Sequence, residues 1–309
     1  MNNGLTIAIP VYNEERFIER AIRRTAPQCE QLIVSDNAST DGTSVICQRL
    51  QQEFPNLCYV RQQENIGSIG NCASILDITE TPFIMYMGSH DLIDENYVST
   101  VLPAIVNDST IAVATGELCL DYETRIERVD SYKNWTVGLD PDPKTRILSF
   151  LFSRAPLEWA SYGIFRTTTV RTHFTCDLPV YGVDIIFLAG VLGEGRFMIR
   201  KGTCYHARVR EDSAPKSDYL ERVTARGHTK KAGRKLKNDF RAAQYKVMLG
   251  LYPGAGSWNK LVLRYRAMVR FGTFRVPGVD PLFHILYIPV KLARKFYRLK
   301  FTHNNTVVV

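Results

Sequence analysis

The sequence predicts an α/β fold: a Rossmann-like, mostly parallel sheet with helices on both faces, followed by a mainly helical, basic C-terminal extension. Three observations predict it. Over the first 115 residues, short β-branched runs alternate with amphipathic stretches through short links, the pattern of a parallel sheet covered by helices. Polar clusters follow three of those runs. The charge then changes sign: residues 1–199 hold 15 basic and 25 acidic side chains, and residues 200–309 hold 24 and 6.

Each element has its own signal. Residues 5–10 read as a first strand, followed by a turn at Asn13 and a helix over 14–26. In that helix Phe17, Ile18, Ala21 and Ile22 recur at helical spacing. Residues 32–35 form a second strand and 43–53 a helix. Residues 57–61 form a third strand and 67–76 a helix. Residues 83–87 form a fourth strand that ends at Gly88-Ser89-His90-Asp91. A helix over 95–106 and a strand over 111–115 complete the series. Beyond it, 130–144 reads as a loop, 163–166 borders a strand, and 184–192 is helical. The sheet places Tyr12-Asn13-Glu14, Asp36-Asn37 and Ser89-His90-Asp91 after the carboxyl ends of three strands, where open α/β sheets bind ligands.

Composition narrows the class. With 45% apolar and 23% charged residues among 309, the chain is neither a disordered tail nor a collagen-like rod. The seven scattered cysteines include no C-x-x-C pair, so they read as reduced thiols, mostly small core residues, of a cytoplasmic protein. No secretory signal and no transmembrane run are expected.

Four segments carry a more specific message. They are Ile9-Pro10-Val11-Tyr12-Asn13-Glu14-Glu15, Val34-Ser35-Asp36-Asn37-Ala38-Ser39-Thr40-Asp41-Gly42-Thr43, Asn65-Ile66-Gly67, and Gly88-Ser89-His90-Asp91. Together, in this order, they resemble the family 2 glycosyltransferases, inverting enzymes of GT-A fold with a nucleotide-sugar donor. The motifs are dense over residues 5–95, and a looser likeness extends to about 213. The resemblance implies a donor site that includes Pro10, Tyr12, Glu14, Asp36, Asn65, Gly67, His90, Asp91, Arg208 and Arg210.

The residue chemistry suits those roles. A carboxylate at Asp36 matches the imide N–H of uracil, and the family places that contact on the matching aspartate; the alternative is an Asx cap of the turn. Tyr12 offers a ring for stacking on the base. Asp41 reads as the cap of the following helix. Family members show an acidic cluster after the fourth strand whose last acid holds a divalent cation, and here only Asp91 remains of it. One carboxylate with substrate phosphate suffices for Mn²⁺ or Mg²⁺, and His90 suits Mn²⁺ better. His206 is a second candidate ligand. Arg208 and Arg210 lie on one side of an extended segment, where their planar forks suit a diphosphate.

By resemblance, the general base is an acid about ninety residues after the metal motif at a helix start, which Asp184 fits. A helix cap is its alternative role. Glu158 is a rival base, and with Trp159 it is a candidate acceptor contact. A single base and one displacement imply inversion, by analogy with glycoside hydrolysis.

The expected domains are a GT-A catalytic domain at 1–215 and a basic, aromatic, helical extension at 216–309. Residues 281–301 are apolar first and basic after, too short and charged to span a bilayer but suited to an anionic surface. The expected partners are therefore a nucleotide sugar, a saccharide or lipid-linked saccharide acceptor and an anionic membrane, with no nucleic acid. The expected place is the cytoplasmic face of the membrane. A catalytically impaired nucleotide-sugar-binding protein is the alternative, motivated by His90; a nucleotidyltransferase is disfavoured because Val11-Tyr12-Asn13-Glu14 stands where its Gly-rich loop belongs.

Overall fold

The computed structural model describes residues 2–129, 137–152, 158–174 and 183–209. Strand β1 (Leu5–Val11) is followed by α1 (Ile18–Thr25), β2 (Gln31–Asp36), α2 (Thr43–Glu53), β3 (Leu57–Arg61), α3 (Gly67–Asp77) and β4 (Phe83–Tyr86). Then come β5 (Leu92–Ile93), α4 (Tyr97–Asn107), β6 (Ile111–Asp121) and β7 (Ile126–Arg128). Helix α5 (Pro143–Phe152), β8 (Ile164–Arg166), α6 (Thr167–His173), α7 (Val183–Glu194) and β9 (Arg196–Arg208) follow.

The strands form one sheet in the order β3-β2-β1-β4-β8-β6-β9-β5, with β7 paired to β6. Strands β1, β2, β3 and β4 run parallel, β8 runs against both β4 and β6, and β9 is parallel to β6. The expected parallel sheet is present over β3-β2-β1-β4, but the sheet as a whole is mixed, because β8 pairs antiparallel with β4 and β6, β7 with β6, and β5 with β9. Its centre is apolar on both faces: Leu5, Ile7, Ala8 and Ile9 of β1 and Leu32, Ile33 and Val34 of β2 have no exposed surface. Burial on both sides explains why these strands read as continuous apolar runs instead of alternating ones.

Helices α2 and α3 and strand β3 start where the sequence puts them. Helix α1 starts four residues late, because Phe17 and Ile18 N–H groups both close on the Glu14 carbonyl, at 2.9 and 3.0 Å, in a separate turn. Strand β6 runs six residues past the expected end. The sequence signal stops at Gly116, which looks like a breaker, yet Gly116 marks a shift in register with β9. A Cβ there would meet the Thr203 carbonyl and the Tyr97 ring, each at 2.7 Å. That glycine is required by close backbone approach within a continuing strand.

The expected loop over 130–144 is corrected at its end. Helix α5 begins at Pro143, a residue whose fixed φ and missing N–H suit a first helical position. Residues 130–136 lie outside the described residues, as do the proposed 215/216 boundary and the whole C-terminal extension. No helix among the described residues is long and apolar enough to cross a membrane.

Candidate active site

The ends of β1, β2 and β4 meet at one edge. Val11 is the register partner of Asp36, and Asp36 of Arg61. Asn13 adopts a φ of +53°, a left-handed conformation that asparagine tolerates better than most residues. From there its N–H donates to Ser39 Oγ at 2.9 Å, and its Oδ1 accepts from the Thr40 N–H at 2.8 Å. Glu14 closes the gap to β4: its Oε1 lies 3.3 Å from His90 Nδ1, while its N–H donates to Thr43 Oγ1 at 2.9 Å. One carboxylate therefore touches the end of β4 while its own backbone is tied to the start of α2.

Asp91 is the most supported acid of the site. It is 5% exposed. Tyr205 donates its hydroxyl to Asp91 Oδ2 at 2.6 Å, and the Arg208 N–H donates to Oδ1 at 2.8 Å. Burial first, and the neighbouring Asp91 charge second, hold the Tyr205 phenol well above its ordinary pKa, so Tyr205 stays a donor at neutral pH. Gly88 permits this arrangement: a Cβ at that position would sit 2.9 Å from Asp91 Cγ. His90 Nε2 lies 3.8 Å from Asp91 Oδ1, and the imidazole is partly open, with 30% of its side chain exposed.

The donor set can be tested for a divalent cation. An ionised carboxylate has about four acceptor directions, and two protein donors occupy Asp91. Beside it stands an imidazole, a ligand type that suits Mn²⁺ better than Mg²⁺. The residues fit such a cation.

The β2 end differs from expectation. Asp36 is fully buried: its Oδ1 accepts from the Ser39 N–H at 2.8 Å and its Oδ2 from the Tyr59 hydroxyl at 2.7 Å, with Arg61 Nε 3.8 Å away. The cap of the turn, held as the alternative, is the role seen here, and the carboxylate presents no open face to a base. The reason is Tyr59, on the adjacent strand. Tyr12, in contrast, is 45% exposed at the same edge. Pro10 lies within β1 opposite Ser35. Asn65 and Gly67 are joined to the edge through Asn37, whose Nδ2 donates to Asn65 Oδ1 and whose Oδ1 accepts from the Ile66 N–H, both at 2.9 Å. Gly67 takes a φ of +79° and donates its N–H to Asn65 Oδ1 at 2.9 Å. Asp41 accepts from the Thr43 N–H at 3.0 Å and from the Glu15 N–H at 3.1 Å, so it braces the start of α2 against the first turn.

Other expected residues are placed elsewhere or differently engaged. The Arg208 guanidinium pairs with Glu123 and lies 4.3 Å over the Phe17 ring, with only 6% of its side chain exposed; reaching a diphosphate requires it to leave Glu123. His206 turns to Asp94, Nε2 to Oδ1 at 2.8 Å, and not to Asp91. Strand alternation explains this, since its neighbour Tyr205 takes the Asp91 side. Trp159 is buried and packs edge-to-face on Phe197, centroids 6.3 Å apart, so its ring belongs to the core and not to an acceptor surface. Asp184 lies in the first turn of α7, half-buried. Glu158 opens a short 3₁₀ turn before β8, and its side chain and Arg210 lie outside the described residues. Sequence reasoning assigned no role to half-buried Tyr59, buried Tyr205 or Glu123, because only pairing across the sheet reveals their partners.

Residues 6–174 match the sequence profile of glycosyl transferase family 2, more than half of the chain. The chain belongs to glycosyl transferase family 2. This glycosyltransferase is 24% identical over 278 residues to the GalNAc(5)-diNAcBac-PP-undecaprenol beta-1,3-glucosyltransferase of Campylobacter jejuni, with 86% of each chain covered. It is 25% identical over 215 residues to the minor teichoic acid biosynthesis protein GgaA of Bacillus subtilis, covering 63% of this chain and 47% of that protein. Among solved structures it is similar to residues 1–349 of S. aureus TarS in complex with UDP-GlcNAc, with a TM-score of 0.60, 17% identity, and 89% and 74% of the two chains covered. At that identity the likeness is one of fold, and the glycosyltransferase has the expected GT-A fold.

Proposed function

We propose that this glycosyltransferase moves a sugar, with inversion, from a nucleoside diphosphate donor of UDP type to a hydroxyl of a lipid-linked or polymeric cell-surface glycan. The observation that carries this reading is Asp91, fixed by Tyr205 and Arg208 beside His90 and Glu14, on the same sheet edge as exposed Tyr12. Such an edge suits a ligand that is aromatic at one end and doubly anionic at the other. Tyr12 stacks on the base. Because Asp36 is occupied by Ser39 and Tyr59, its share in base recognition is to fix the turn that carries Asn37, whose own polar atoms hold Asn65 and Ile66.

A divalent cation, Mn²⁺ or Mg²⁺, would be held by Asp91 and His90 and, when bound, supplies charge neutralisation for the departing diphosphate. Asp184 takes the proton from the acceptor hydroxyl as that oxygen bonds to the anomeric carbon. The bond from that carbon to the diphosphate oxygen breaks, and its electron pair leaves with the nucleotide. Attack opposite the leaving group inverts the centre. Asp184 stands half-buried in the first turn of α7, the helix start where the family resemblance puts this base.

The relatives support this acceptor class: one is named for an undecaprenol-linked glycan and another for teichoic acid. The balance of 24 basic to 6 acidic residues over 200–309 supports the proposed contact with an anionic membrane and, with it, a peripheral position at the cytoplasmic face. The test is turnover of a panel of nucleotide sugars on a polyprenyl-diphosphate glycan, with Mn²⁺ or Mg²⁺, followed by product stereochemistry. Inverted product from a UDP-sugar supports the reading; donor binding without transfer or hydrolysis overturns it. Binding to anionic but not neutral liposomes, weakened by salt, tests the membrane contact.

A further inference from the structure

On β9 the residues on either side of Tyr205 share a second centre. Asp94, Cys204 and His206 offer ligand atoms that all lie within 4.8 Å of one another. A fourth group stands beside them: Cys119 Sγ on β6 lies 2.8 Å from Cys204 Sγ. Because β-strand side chains alternate, Cys204 and His206 face away from the side on which Tyr205 holds Asp91. We propose that Asp94, Cys119, Cys204 and His206 form a zinc site, separate from the donor site and bracing the strand that carries Tyr205.

The ligand types argue for the metal. Two thiolates, an imidazole and a carboxylate make a four-membered set of the kind zinc takes in tetrahedral sites, whereas Mg²⁺ and Ca²⁺ seek oxygen alone. Bonds of about 2.0–2.3 Å to zinc put tetrahedral ligand atoms roughly 3.3–3.8 Å apart. Asp94, Cys204 and His206, all within 4.8 Å of one another, need to close by about 1 Å at most, while Cys119, whose Sγ lies 2.8 Å from that of Cys204 but outside the 4.8 Å group, must turn toward the other two ligands.

The surroundings complete the case. Asp94 Oδ2 accepts from the Cys204 N–H at 2.7 Å, which orients the carboxylate while Oδ1 faces His206; outer hydrogen bonds of this type are what fix metal ligands in register. The set is partly screened, with 15% of the His206 side chain and 38% of the Asp94 side chain exposed, so an ion can enter. Binding displaces the two thiol protons to solvent. Zinc, two thiolates, one carboxylate and a neutral imidazole then sum to one negative charge. Arg128 faces that charge: its Nη2 is 3.7 Å from Cys204 Sγ, and its Nη1 is 3.1 Å from Glu117.

The test uses Co²⁺ as the probe on the full chain, stripped of metal and fully reduced. The expected result is one Co²⁺ per chain with a thiolate-to-cobalt charge-transfer band and tetrahedral visible bands, both erased by one equivalent of Zn²⁺. Cys204→Ser abolishes the charge-transfer band and Cys119→Ser weakens it to about half. Asp94→Asn, which keeps an acceptor for the Cys204 N–H, folds and binds Co²⁺ more weakly because it lacks the charged carboxylate ligand. Three results each overturn the proposal: no thiolate band in the reduced wild type, a band unchanged in both cysteine variants, or metal bound only with an oxygen- and nitrogen-ligand spectrum, as the donor site would give. A Cys119–Cys204 disulfide that forms on air exposure, in a protein that binds no cobalt when reduced, also overturns it.

Discussion

Tyr205 donates its hydroxyl to Asp91 at 2.6 Å across a sequence separation of 114 residues. The last described strand thereby holds the acid that follows the fourth. The same hydroxyl accepts the Gly88 N–H at 3.2 Å, and the Tyr162 ring stacks on Tyr205 with centroids 5.2 Å apart. Asp91 is therefore aimed by a buried phenol that is itself locked in place, as a preorganised charge requires.

Removing that hydroxyl tests the arrangement. Tyr205→Phe keeps the stacked ring but leaves Asp91 and the Gly88 N–H each short of a partner. The expected cost is about 1–3 kcal/mol of stability, measured by denaturant unfolding. Sugar transfer falls by more than the loss of folded protein accounts for, and retention of full activity contradicts the role given to Tyr205.

Gly88→Ala probes the same acid through space instead of through a hydrogen bond. The new Cβ meets Asp91 Cγ at 2.9 Å, so the carboxylate must turn. Transfer is expected to drop at least tenfold, while the melting temperature changes by only a few degrees because the position lies at the sheet edge. Kinetics and thermal unfolding on the same preparation separate the two effects.

Asp184→Asn removes a proton acceptor while keeping size and hydrogen bonding. A loss of about 10²–10⁴ in kcat is expected, with donor affinity by calorimetry within about twofold of wild type. Transfer near the normal rate would assign the base elsewhere, with Glu158 next in line.

Asp41 carries a pH dependence whose sign is fixed. Burial raises its pKa, but hydrogen bonds from the Thr43 hydroxyl and N–H and from the Glu15 N–H outweigh that effect and leave it below its usual value. A carboxyl depressed on folding adds stability above its unfolded pKa of about 3.9; that stability is lost as pH falls through the lower, folded value. Asp41→Ala is expected to cost about 1 kcal/mol at pH 7 and to show a smaller loss of stability on acidification than wild type, as read from urea midpoints between pH 6 and pH 3.

Much of this site was legible in the amino-acid sequence because its signals are local. Asn13, Asp41 and Gly88-Ser89-His90-Asp91 sit at strand ends and caps, where short-range chemistry dictates the residue. Long-range partners were not legible. Asp36 was expected to face a ligand, but Tyr59 on the next strand and Ser39 in its own turn close it off. Trp159 beside Glu158 read as an acceptor contact, and packing on Phe197 made it core. His206 was assigned to the donor-site metal, and the alternation of β9 sent it to Asp94. In each case a contact that the local sequence pattern does not display decided where the side chain went.

The most direct test of the central claim, that one activated sugar nucleotide sits where the ends of β1, β2 and β4 meet, is a crystal structure of the chain with UDP and Mn²⁺. The expected result is the uracil against Tyr12 and the diphosphate beside His90 and Asp91, with Tyr205 still bonded to Asp91. A nucleotide bound elsewhere, or an Asp91 that remains remote from the phosphates, would contradict it.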